Sequence, residues 1–506
     1  MKPDRPTFEY LITHREDLLA PPLAQDWPNL PIERAEGAYL YDCYGKRYLD
    51  WLSGFGACNL GHNHPRVVAA AQAQMERMVH APVGVSTPES TLRLAWELGK
   101  VMPGGADMFF FGNSGSEAVD AAIKLARYVT KRPGIIAFIG SFHGRTMGAI
   151  SATTSKVRYR SGMSPYLPGF YFARFPYPFR SKAPSPEECA QEALDDIDRL
   201  FEHVIAPQDV AAFLVEPVQG EGGYVIPPPG WLNELRRLAD QNGIMLILDE
   251  VQTGFGRTGE LFAAQTFGVE PDIVCLAKGI ANGFPLGATA ARAEIMKAWG
   301  PASHGTTFGG SPVSCAAALE TLHVIQEENL LANARAQGGY LLEGLRSLKG
   351  KSPIVGDVRG VGLMLAVEFV QPGGKQPNPT AAGNILNRML ANGMLCYPCG
   401  HWAQTIRLIP AINADQAQVE AGLEIFTQAV LAEAGEGQAK PGFFTPSSRH
   451  LHRLNQPEAE LPHLAQAVFD SPHLDDLPIP EAGNNRFAVF RHVNGCRHFS
   501  LLPVSR

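Results

Sequence analysis

Ile244-Met-Leu-Ile-Leu-Asp249 and Asp272-Ile-Val-Cys-Leu-Ala-Lys278 are two short apolar runs, and each ends on a charged residue. Short apolar runs of this length predict buried strands. In an α/β sheet, the carboxyl ends of neighbouring parallel strands meet at one crevice. We therefore expect the Asp249 carboxylate and the Lys278 amine to lie close together around one ligand.

An amine beside a carboxylate is the pair that a pyridoxal phosphate enzyme requires. The lysine amine bonds to the cofactor aldehyde, while the carboxylate keeps the pyridine nitrogen protonated so that the ring can accept electrons. Taken alone, a strand-end Asp or Lys is more commonly a helix cap or a solvated loop residue. Other parts of the sequence have to decide between these interpretations.

A phosphate-binding turn is predicted at residues 109–117. Phe109-Phe-Phe111 indicates a strand, Gly112-Asn-Ser-Gly-Ser116 a tight turn, and Glu117 the start of an amphipathic helix. Such a turn presents backbone N–H groups, here those of Gly115 and Ser116, to a phosphate at the positive end of the helix dipole. A plain capped helix is the alternative. Ser116 stands where the nucleophile elbow of an esterase needs glycine, which argues against that class.

The composition is that of an ordinary globular protein. The chain has 506 residues, 45% of them hydrophobic and 18% charged, with a net charge of −7 that offers no basic footprint for nucleic acid. No apolar run approaches the ~18 residues of a membrane helix, and no signal peptide is visible, so we expect a cytoplasmic protein. Eight cysteines are too few for a disulfide framework. Cys396 and Cys399 have redox-motif spacing, but the surrounding pattern favours packing thiols.

Four segments follow from the patterns along the chain. Residues 35–52 read as a hairpin, and residues 66–325 alternate helices with short strands, as in a mostly parallel sheet covered by helices. A charged helix near 324–348, a helix over 380–392 and a strand at Thr405–Leu408 indicate a smaller α+β domain. We predict a small domain from residues 1–65 and 326–436, a large domain at 66–325, and an irregular appendage at 437–506.

Six blocks resemble the class III, or ornithine/4-aminobutyrate type, aminotransferases. These blocks are Gly112-Asn-Ser-Gly-Ser-Glu-Ala118, Ser141-Phe-His-Gly-Arg-Thr146, Val215-Glu-Pro-Val-Gln-Gly-Glu-Gly-Gly223, Leu248-Asp-Glu-Val-Gln-Thr-Gly254, Leu276-Ala-Lys-Gly279 and Gly305-Thr-Thr-Phe-Gly-Gly310. They occur in the family's order, and the resemblance runs from about residue 30 to 430. It is closest to bacterial 4-aminobutyrate aminotransferases. It implies pyridoxal phosphate as cofactor and the aspartate-aminotransferase-like fold type I, in a homodimer or a dimer of dimers with shared active sites.

The resemblance also implies individual roles. Lys278 would carry the cofactor, Asp249 would face the pyridine nitrogen, and Gln252 would contact the phenolic oxygen. Phe142 would stack on the cofactor ring, and His143 would also contact the cofactor. Glu216 would lie near the cofactor and support the residues that bind it. Gly115 and Ser116 would bind phosphate from one subunit and Thr307 from the other.

Substrate recognition is expected to depend on two arginines. Arg145 and Arg407 occupy positions at which members of the family bind substrate carboxylates. Their planar guanidinium groups match the two carboxylates of glutamate or 2-oxoglutarate. Glu221 resembles the residue that neutralises the second arginine when the donor has no α-carboxylate. Phe55 stands where a smaller aliphatic side chain is expected, which predicts a narrower pocket or a preference for apolar amines.

The expected reaction is ping-pong transfer of an amino group from an ω-amino acid or amine to 2-oxoglutarate or pyruvate. Two alternatives stay open. One is an amino-acid racemase or epimerase of the same family, and the other is a non-catalytic interaction protein that uses residues 437–506. The histidine pairs at 62 and 64 and at 450 and 452 lack a third ligand cluster, so no catalytic metal is expected.

Overall fold

The structure is a computed structural model that describes residues 6–23, 29–435, 487–493 and 496–502. The strands, in chain order, are β1 (Ile32–Glu36), β2 (Tyr39–Asp42), β3 (Arg47–Asp50), β4 (Met108–Gly112), β5 (Gly134–Phe138), β6 (Phe170–Ala173), β7 (Val210–Val215), β8 (Met245–Asp249), β9 (Ile273–Leu276), β10 (Gly287–Ala291), β11 (Val355–Val361), β12 (Met364–Phe369), β13 (Met394–Leu395), β14 (Tyr397–Cys399), β15 (Thr405–Leu408), β16 (Phe487–Val493) and β17 (Cys496–Leu502). The α-helices are α1 (Phe8–Thr13), α2 (Arg15–Leu18), α3 (Ser53–Gly56), α4 (Pro65–Arg77), α5 (Glu89–Gly99), α6 (Gly115–Thr130), α7 (Met147–Ala152), α8 (Pro186–His203), α9 (Trp231–Asn242), α10 (Ala263–Phe267), α11 (Ala293–Lys297), α12 (Pro312–Glu327), α13 (Leu330–Arg346), α14 (Pro379–Ala391) and α15 (Gln416–Gly435).

The central sheet has seven strands in the order β4-β10-β9-β8-β7-β5-β6. Strand β10 runs antiparallel to both of its neighbours, and the other pairings in the sheet are parallel. The predicted α/β fold with a mostly parallel sheet is confirmed. Strands β8 and β9 are direct neighbours, and Asp249 lies opposite Cys275 in their register. Their carboxyl ends therefore share one edge of the sheet, as the two opening runs predicted.

Both faces of the central sheet are buried. On β8, Leu246 and Leu248 pack into one core cluster, whereas Ile247 packs into a second one on the other face. The second cluster also contains apolar residues of α6 and α7. Because neither face meets water, the strands read as continuous apolar runs rather than as alternating ones.

Two smaller sheets complete the main unit. The predicted hairpin forms β2 and β3, which pair with β1 and with β13 in the order β1-β2-β3-β13. The N-terminal segment thus shares a sheet with a strand from residues 394–395. The second sheet has the order β11-β12-β15-β14, and β15 spans the predicted Thr405–Leu408. The division into a large and a small domain stays a prediction.

The prediction of a single helix near 324–348 is wrong. Asn329 adopts a left-handed φ of 54°, which separates α12 from α13. The predicted appendage at 437–506 lies outside the described residues, except for the antiparallel hairpin of β16 and β17. That hairpin belongs to a second compact unit, whereas all described residues up to 435 belong to the first.

Candidate active site

A cavity of about 530 Å³, called the central cavity below, lies where the strands β4, β5, β7, β8 and β9 end. It brings together every predicted site residue except Thr307. The predicted residues that line it are Phe55, Gly115, Ser116, Phe142, His143, Arg145, Glu216, Glu221, Asp249, Gln252, Lys278 and Arg407. These residues are far apart in the sequence, so the topology of the sheet is what collects them.

Lys278 lies two residues after the end of β9 and lines this cavity. Its backbone has a φ of 50°, a left-handed conformation that costs a non-glycine residue of order 1 kcal/mol or more. Strain of this kind persists only where the surrounding structure enforces it. Burial lowers the pKa of the Lys278 amine to about 8, although Asp249 favours the charged form. A lysine in this setting is partly neutral near physiological pH, as a nucleophile or a base must be.

Asp249 ends β8 and is buried. One carboxylate oxygen lies 2.7 Å from His143 Nδ1, and the other accepts a hydrogen bond from the Val251 N–H at 3.1 Å. The opposite ring nitrogen of His143, Nε2, is buried without a hydrogen-bond partner among the described residues. A buried carboxylate with such a fixed orientation is suited to pairing with a cationic ligand nitrogen.

Glu216 follows β7 and supports the same wall. Its carboxylate accepts hydrogen bonds from the backbone N–H groups of Phe142 and Gly220, each at 2.8 Å. Burial raises the pKa of Glu216 to about 7. Glu216 therefore holds the backbone that carries the Phe142 ring and the His143 imidazole.

The start of α6 forms a cradle beside these groups. The Ser114 hydroxyl accepts a hydrogen bond from the Glu117 N–H and caps a helix of 16 residues. A Cβ atom on Gly115 would lie only 2.8 Å from Val251 Cγ1, so the close approach of backbone and side chain requires glycine. Backbone N–H groups and the positive end of the α6 dipole therefore face the central cavity, where an anion is stabilised.

A second charged group is built around Glu221. One of its carboxylate oxygens contacts the Arg407 guanidinium, and the other lies 2.6 Å from Lys156 Nζ and 2.9 Å from the Tyr159 hydroxyl. Burial alone would raise the pKa of Glu221, but Arg407 and Lys156 lower it to about 2. Glu221 is therefore an anion at every physiological pH, and it neutralises Arg407, which is 2% exposed.

Arg145 is the exposed cation of the central cavity. Its guanidinium lies 5.6 Å from the ring centre of Phe142 and 4.8 Å from that of Tyr159. On the opposite wall, Gln252 donates from Nε2 to the Phe55 carbonyl at 3.0 Å. Gln252 thus holds a residue whose own φ of 61° is left-handed.

Thr307 lies outside the central cavity and is exposed. Its neighbour Thr306 accepts a hydrogen bond from Asn113 Nδ2 at 3.3 Å, so the Gly305–Gly310 block lies near the α6 cradle of the same chain. The Thr307 side chain is nevertheless free to face another molecule.

Sequence reasoning missed Lys156, Tyr159 and Tyr397, all of which belong to this region. Lys156 and Tyr159 lie after α7, with Tyr159 at the end of a short 3-10 helix (Val157–Tyr159), and Tyr397 begins β14. No motif marks them, and their contacts with Glu221 and Phe55, between 62 and 342 positions away, depend on chain folding alone. A basic residue following the Phe-His-Gly-Arg block was the only available signal.

The family model described as aminotransferase class-III matches residues 23–430. The chain belongs to the class III aminotransferases. Pyridoxal phosphate is accordingly the cofactor of this enzyme, and its fold is of type I. Among solved structures, it resembles an (S)-enantioselective omega-transaminase from Thermomicrobium roseum, with 35% identity, a TM-score of 0.79, and coverage of 84% of this chain and 98% of that one. An amine transaminase from an uncultivated Pseudomonas species in its PLP-bound form has 31% identity and a TM-score of 0.76, over 82% of this chain and 99% of that one.

Named relatives of this class III aminotransferase include enzymes of two kinds. The 4-aminobutyrate aminotransferase GabT of Escherichia coli is 41% identical over 399 residues, which are 78% of this chain and 92% of that protein. The 5-aminovalerate aminotransferase DavT of Pseudomonas putida is 39% identical over 398 residues, again 78% and 92%. An alanine/serine racemase of Pyrococcus horikoshii is 37% identical over 436 residues, which are 85% of this chain and 92% of that protein.

The side chains of this aminotransferase fit its cofactor. A phosphate requires an anion cradle, a pyridine nitrogen requires a buried carboxylate, and an aldehyde requires a reactive amine. The start of α6, Asp249 and Lys278 supply these three in one cavity. His143 also lines this cavity, and its buried Nε2 has no hydrogen-bond partner among the described residues.

Three further observations concern the described part of the aminotransferase. Within it, no group of three or more His, Cys, Asp or Glu side chains is arranged to hold a metal ion. His62 lies 2.7 Å from Asp50, and the pair at 450 and 452 falls outside the described residues.

None of the described helices has the length and apolar character needed to cross a membrane. Cys396 and Cys399 are buried free thiols, and burial raises the pKa of Cys399 to about 11.

Proposed function

We propose that this aminotransferase moves an amino group from an ω-amino acid or amine, such as 4-aminobutyrate, to 2-oxoglutarate or pyruvate in ping-pong fashion. The observation that carries the proposal is the contact between Glu221 and Arg407 inside the cavity that holds Lys278. A donor whose reacting carbon bears no carboxylate leaves Arg407 paired with Glu221. Relatives named for 4-aminobutyrate and 5-aminovalerate are consistent with such a donor.

The two arginines would divide the recognition of substrates. Arg145 is exposed and free to bind the distal carboxylate of 4-aminobutyrate or 2-oxoglutarate. The α-carboxylate of a keto acid would take the place of Glu221 on Arg407. Glu221 would then remain held by Lys156 and Tyr159, which already bind its other oxygen. This arrangement gives the acidic side chain a second stable position without leaving an unpaired buried charge.

The residues that hold the cofactor follow from the cradle and the buried acid. Pyridoxal phosphate supplies, when bound, an aldehyde that captures the amine and a ring that takes up electrons. Gly115 and Ser116 would hold its phosphate, Asp249 its ring nitrogen, and Gln252 its phenolic oxygen. Phe142 would cover the ring face, and the contacts of His143 and Glu216 would keep Asp249 and Phe142 oriented.

Lys278 would also move the proton. Its free amine can accept a proton from the substrate carbon because burial brings its pKa to about 8, close to neutral pH.

Replacement of Lys278 by alanine tests the proposal. We expect Lys278→Ala to abolish turnover of 4-aminobutyrate with 2-oxoglutarate, together with the visible absorbance of the covalently bound cofactor. Lys297→Ala removes an exposed lysine at the end of α11 and serves as the matched control. Turnover that survives in Lys278→Ala refutes the assignment.

The active form would be a homodimer, or a dimer of dimers, in which Thr307 completes the partner's phosphate site. Exposed apolar side chains occur on this loop and in residues 79–92: Val79, Val83, Val85, Leu92 and Phe308 are 42–86% exposed. Part of this surface adjoins the loop, because Val83 and Thr91 lie next to Gly310 and the His80 ring lies 5.1 Å from Phe308. An apolar patch of this kind typically marks a protein interface.

Subunit complementation tests this arrangement. Thr307→Glu would place a negative charge beside the phosphate of the partner's site, so this variant and Lys278→Ala should each be inactive alone. In a mixed dimer, one site combines an intact lysine with an intact threonine. We expect mixing with subunit exchange to restore activity, and no restoration would exclude a shared site.

Racemisation is the second candidate, supported by the similarity to the alanine/serine racemase. Incubation of a chiral amino acid without any keto acid separates the two reactions. A racemase removes the optical activity completely, whereas a transaminase stops after one half-reaction. Deletion of residues 437–506 tests the non-catalytic alternative, because every residue proposed for catalysis precedes them. A cytoplasmic location stays a prediction from the sequence.

A further inference from the structure

Arg257 is a fully buried cation, and no carboxylate of a described residue pairs with it. Its guanidinium donates to the Leu363 carbonyl at 3.1 Å, to the Pro410 carbonyl, and to Asn59 Oδ1 at 2.7 Å. Burial without an acidic partner lowers the pKa of Arg257 to about 10. Such a buried charge is costly. What a planar guanidinium offers here is a set of fixed donors for acceptors on three separate segments of the chain.

The side chain of Asn59 is held at both ends. It is 1% exposed, and its Nδ2 donates to the Phe255 carbonyl at 2.8 Å while its Oδ1 accepts from Arg257. Because both polar ends of the carboxamide are bonded inside the core, the Asn59 side chain is locked in one orientation.

The Asn59 carboxamide packs directly on Gly279, the residue that follows Lys278. A Cβ atom added at Gly279 would lie 2.7 Å from Asn59 Cγ, and the three atoms nearest to it all belong to Asn59. Lys278 has a left-handed φ of 50°, whereas the φ of Gly279 lies outside that region. Alanine at position 279 is therefore opposed by the Asn59 side chain and not by the backbone conformation.

The other end of the same segment is joined to the residues after Asn59. Asn282 Oδ1 accepts a hydrogen bond from the Leu60 N–H at 2.8 Å, and Asn282 Nδ2 donates to the Gly61 carbonyl at 3.0 Å. Residues 59–61 thus hold both ends of the segment 278–282, which begins with the lysine that lines the central cavity.

We propose that Asn59, locked by Arg257, is a positioning residue that keeps Lys278 in its left-handed conformation and its amine at the reacting position. The inference rests on the proposed role of Lys278 and adds a residue that does not itself line the central cavity. A left-handed conformation persists only where neighbouring groups enforce it, and the carboxamide against Gly279 supplies that constraint. When the constraint is lost, the backbone at 278 and 279 relaxes and the amine moves away from the reacting atoms.

Substitutions on both sides of the contact test the inference in the holoenzyme. Gly279→Ala should lower kcat for 4-aminobutyrate with 2-oxoglutarate about 10²-fold, with a much smaller change in KM, because the displaced amine acts after the substrate has bound. Adding Asn59→Ala to Gly279→Ala removes the overlapping atoms and should recover at least about tenfold of that loss.

Visible circular dichroism of the bound cofactor gives a readout that needs no turnover, because it reports how Lys278 orients the cofactor. The visible band should change in Asn59→Ala and in Arg257→Lys, which keeps the charge but loses the planar set of donors. Asn413→Ala is the matched control, since Asn413 Nδ2 donates to the Leu60 carbonyl at 3.0 Å and so supports the same segment away from Gly279. The control should keep the wild-type kcat and dichroism.

Wild-type kcat in Gly279→Ala, or a defect that Asn59→Ala does not reduce, would overturn the inference. The same holds if Asn59→Ala lowers only the melting temperature and leaves kcat and dichroism unchanged. Should Gly279→Ala not fold, Arg257→Lys decides: a lower kcat with an altered band supports the inference, and wild-type values of both overturn it. Turnover that survives in Lys278→Ala would refute the proposed function instead.

Discussion

Replacing Glu221 by glutamine should separate the two half-reactions of the enzyme. The substitution keeps the size of the side chain but removes the anion that faces Arg407 and Lys156. The side chains of this cluster are nearly buried: Arg407 is 3% exposed, Lys156 7% and Glu221 11%. Water therefore cannot fully hydrate either cation when the Glu221 anion is removed. Removing one partner of a buried ion pair costs about 3–5 kcal/mol.

The cost should fall on one substrate only. With 4-aminobutyrate, Arg407 has no carboxylate to bind in Glu221→Gln, and a loss of about 3 kcal/mol corresponds to a fall of about 10²-fold in kcat/KM. With 2-oxoglutarate, the α-carboxylate supplies the missing partner and no longer competes with Glu221. The rate with this acceptor should stay the same or rise.

Single-turnover spectroscopy of the bound cofactor measures each half-reaction separately. Glu260→Gln is the matched control, since Glu260 and Arg335 form a surface ion pair of 3.0 Å that is worth at most about 1 kcal/mol. This control should alter neither half-reaction. An equal loss in both half-reactions of Glu221→Gln would show that Glu221 only maintains the structure, and the proposed exchange of Glu221 for a substrate carboxylate on Arg407 would be abandoned.

Three further predictions concern Lys156, Lys278 and Gly422. Lys156→Met should slow the 4-aminobutyrate half-reaction by only about tenfold, since Arg407 still binds the same carboxylate; a loss equal to that of Glu221→Gln contradicts this. Uptake of the cofactor by the cofactor-free protein needs the neutral Lys278 amine. The rate of uptake should therefore rise with pH and level off above the Lys278 pKa of about 8. A pH profile with its midpoint near the ordinary lysine value of 10.5 would exclude the lowered pKa. Gly422→Ala should lower the free energy of unfolding by about 1–3 kcal/mol in urea titrations, because the new Cβ would lie 2.1 Å from the buried Trp51 ring. Gly339→Ala, in an open helical position, should instead be neutral or stabilising by up to about 1 kcal/mol.

Much of the fold was predictable because its signals are local. The runs ending at Asp249 and Lys278 became β8 and β9, and the Phe109–Ser116 stretch became a strand, a turn and a helix start. The break at Asn329 was not predicted, because a single left-handed residue leaves the apolar periodicity on both sides intact. Periodicity reports which face is buried and says little about where one helix ends and the next begins.

The sequence by itself predicted which groups would lie together: an amine and an acid at the ends of adjacent parallel strands, and a glycine-containing turn before a helix. Strand order in an α/β sheet converts these local patterns into one crevice, so no knowledge of side-chain packing was needed. Only the tertiary structure decided that Lys156 and Tyr159 hold Glu221, and that the rings of Phe55 and Tyr397 meet edge to face. Such contacts join segments far apart in the chain, where tertiary packing sets the geometry and no repeating sequence pattern predicts it.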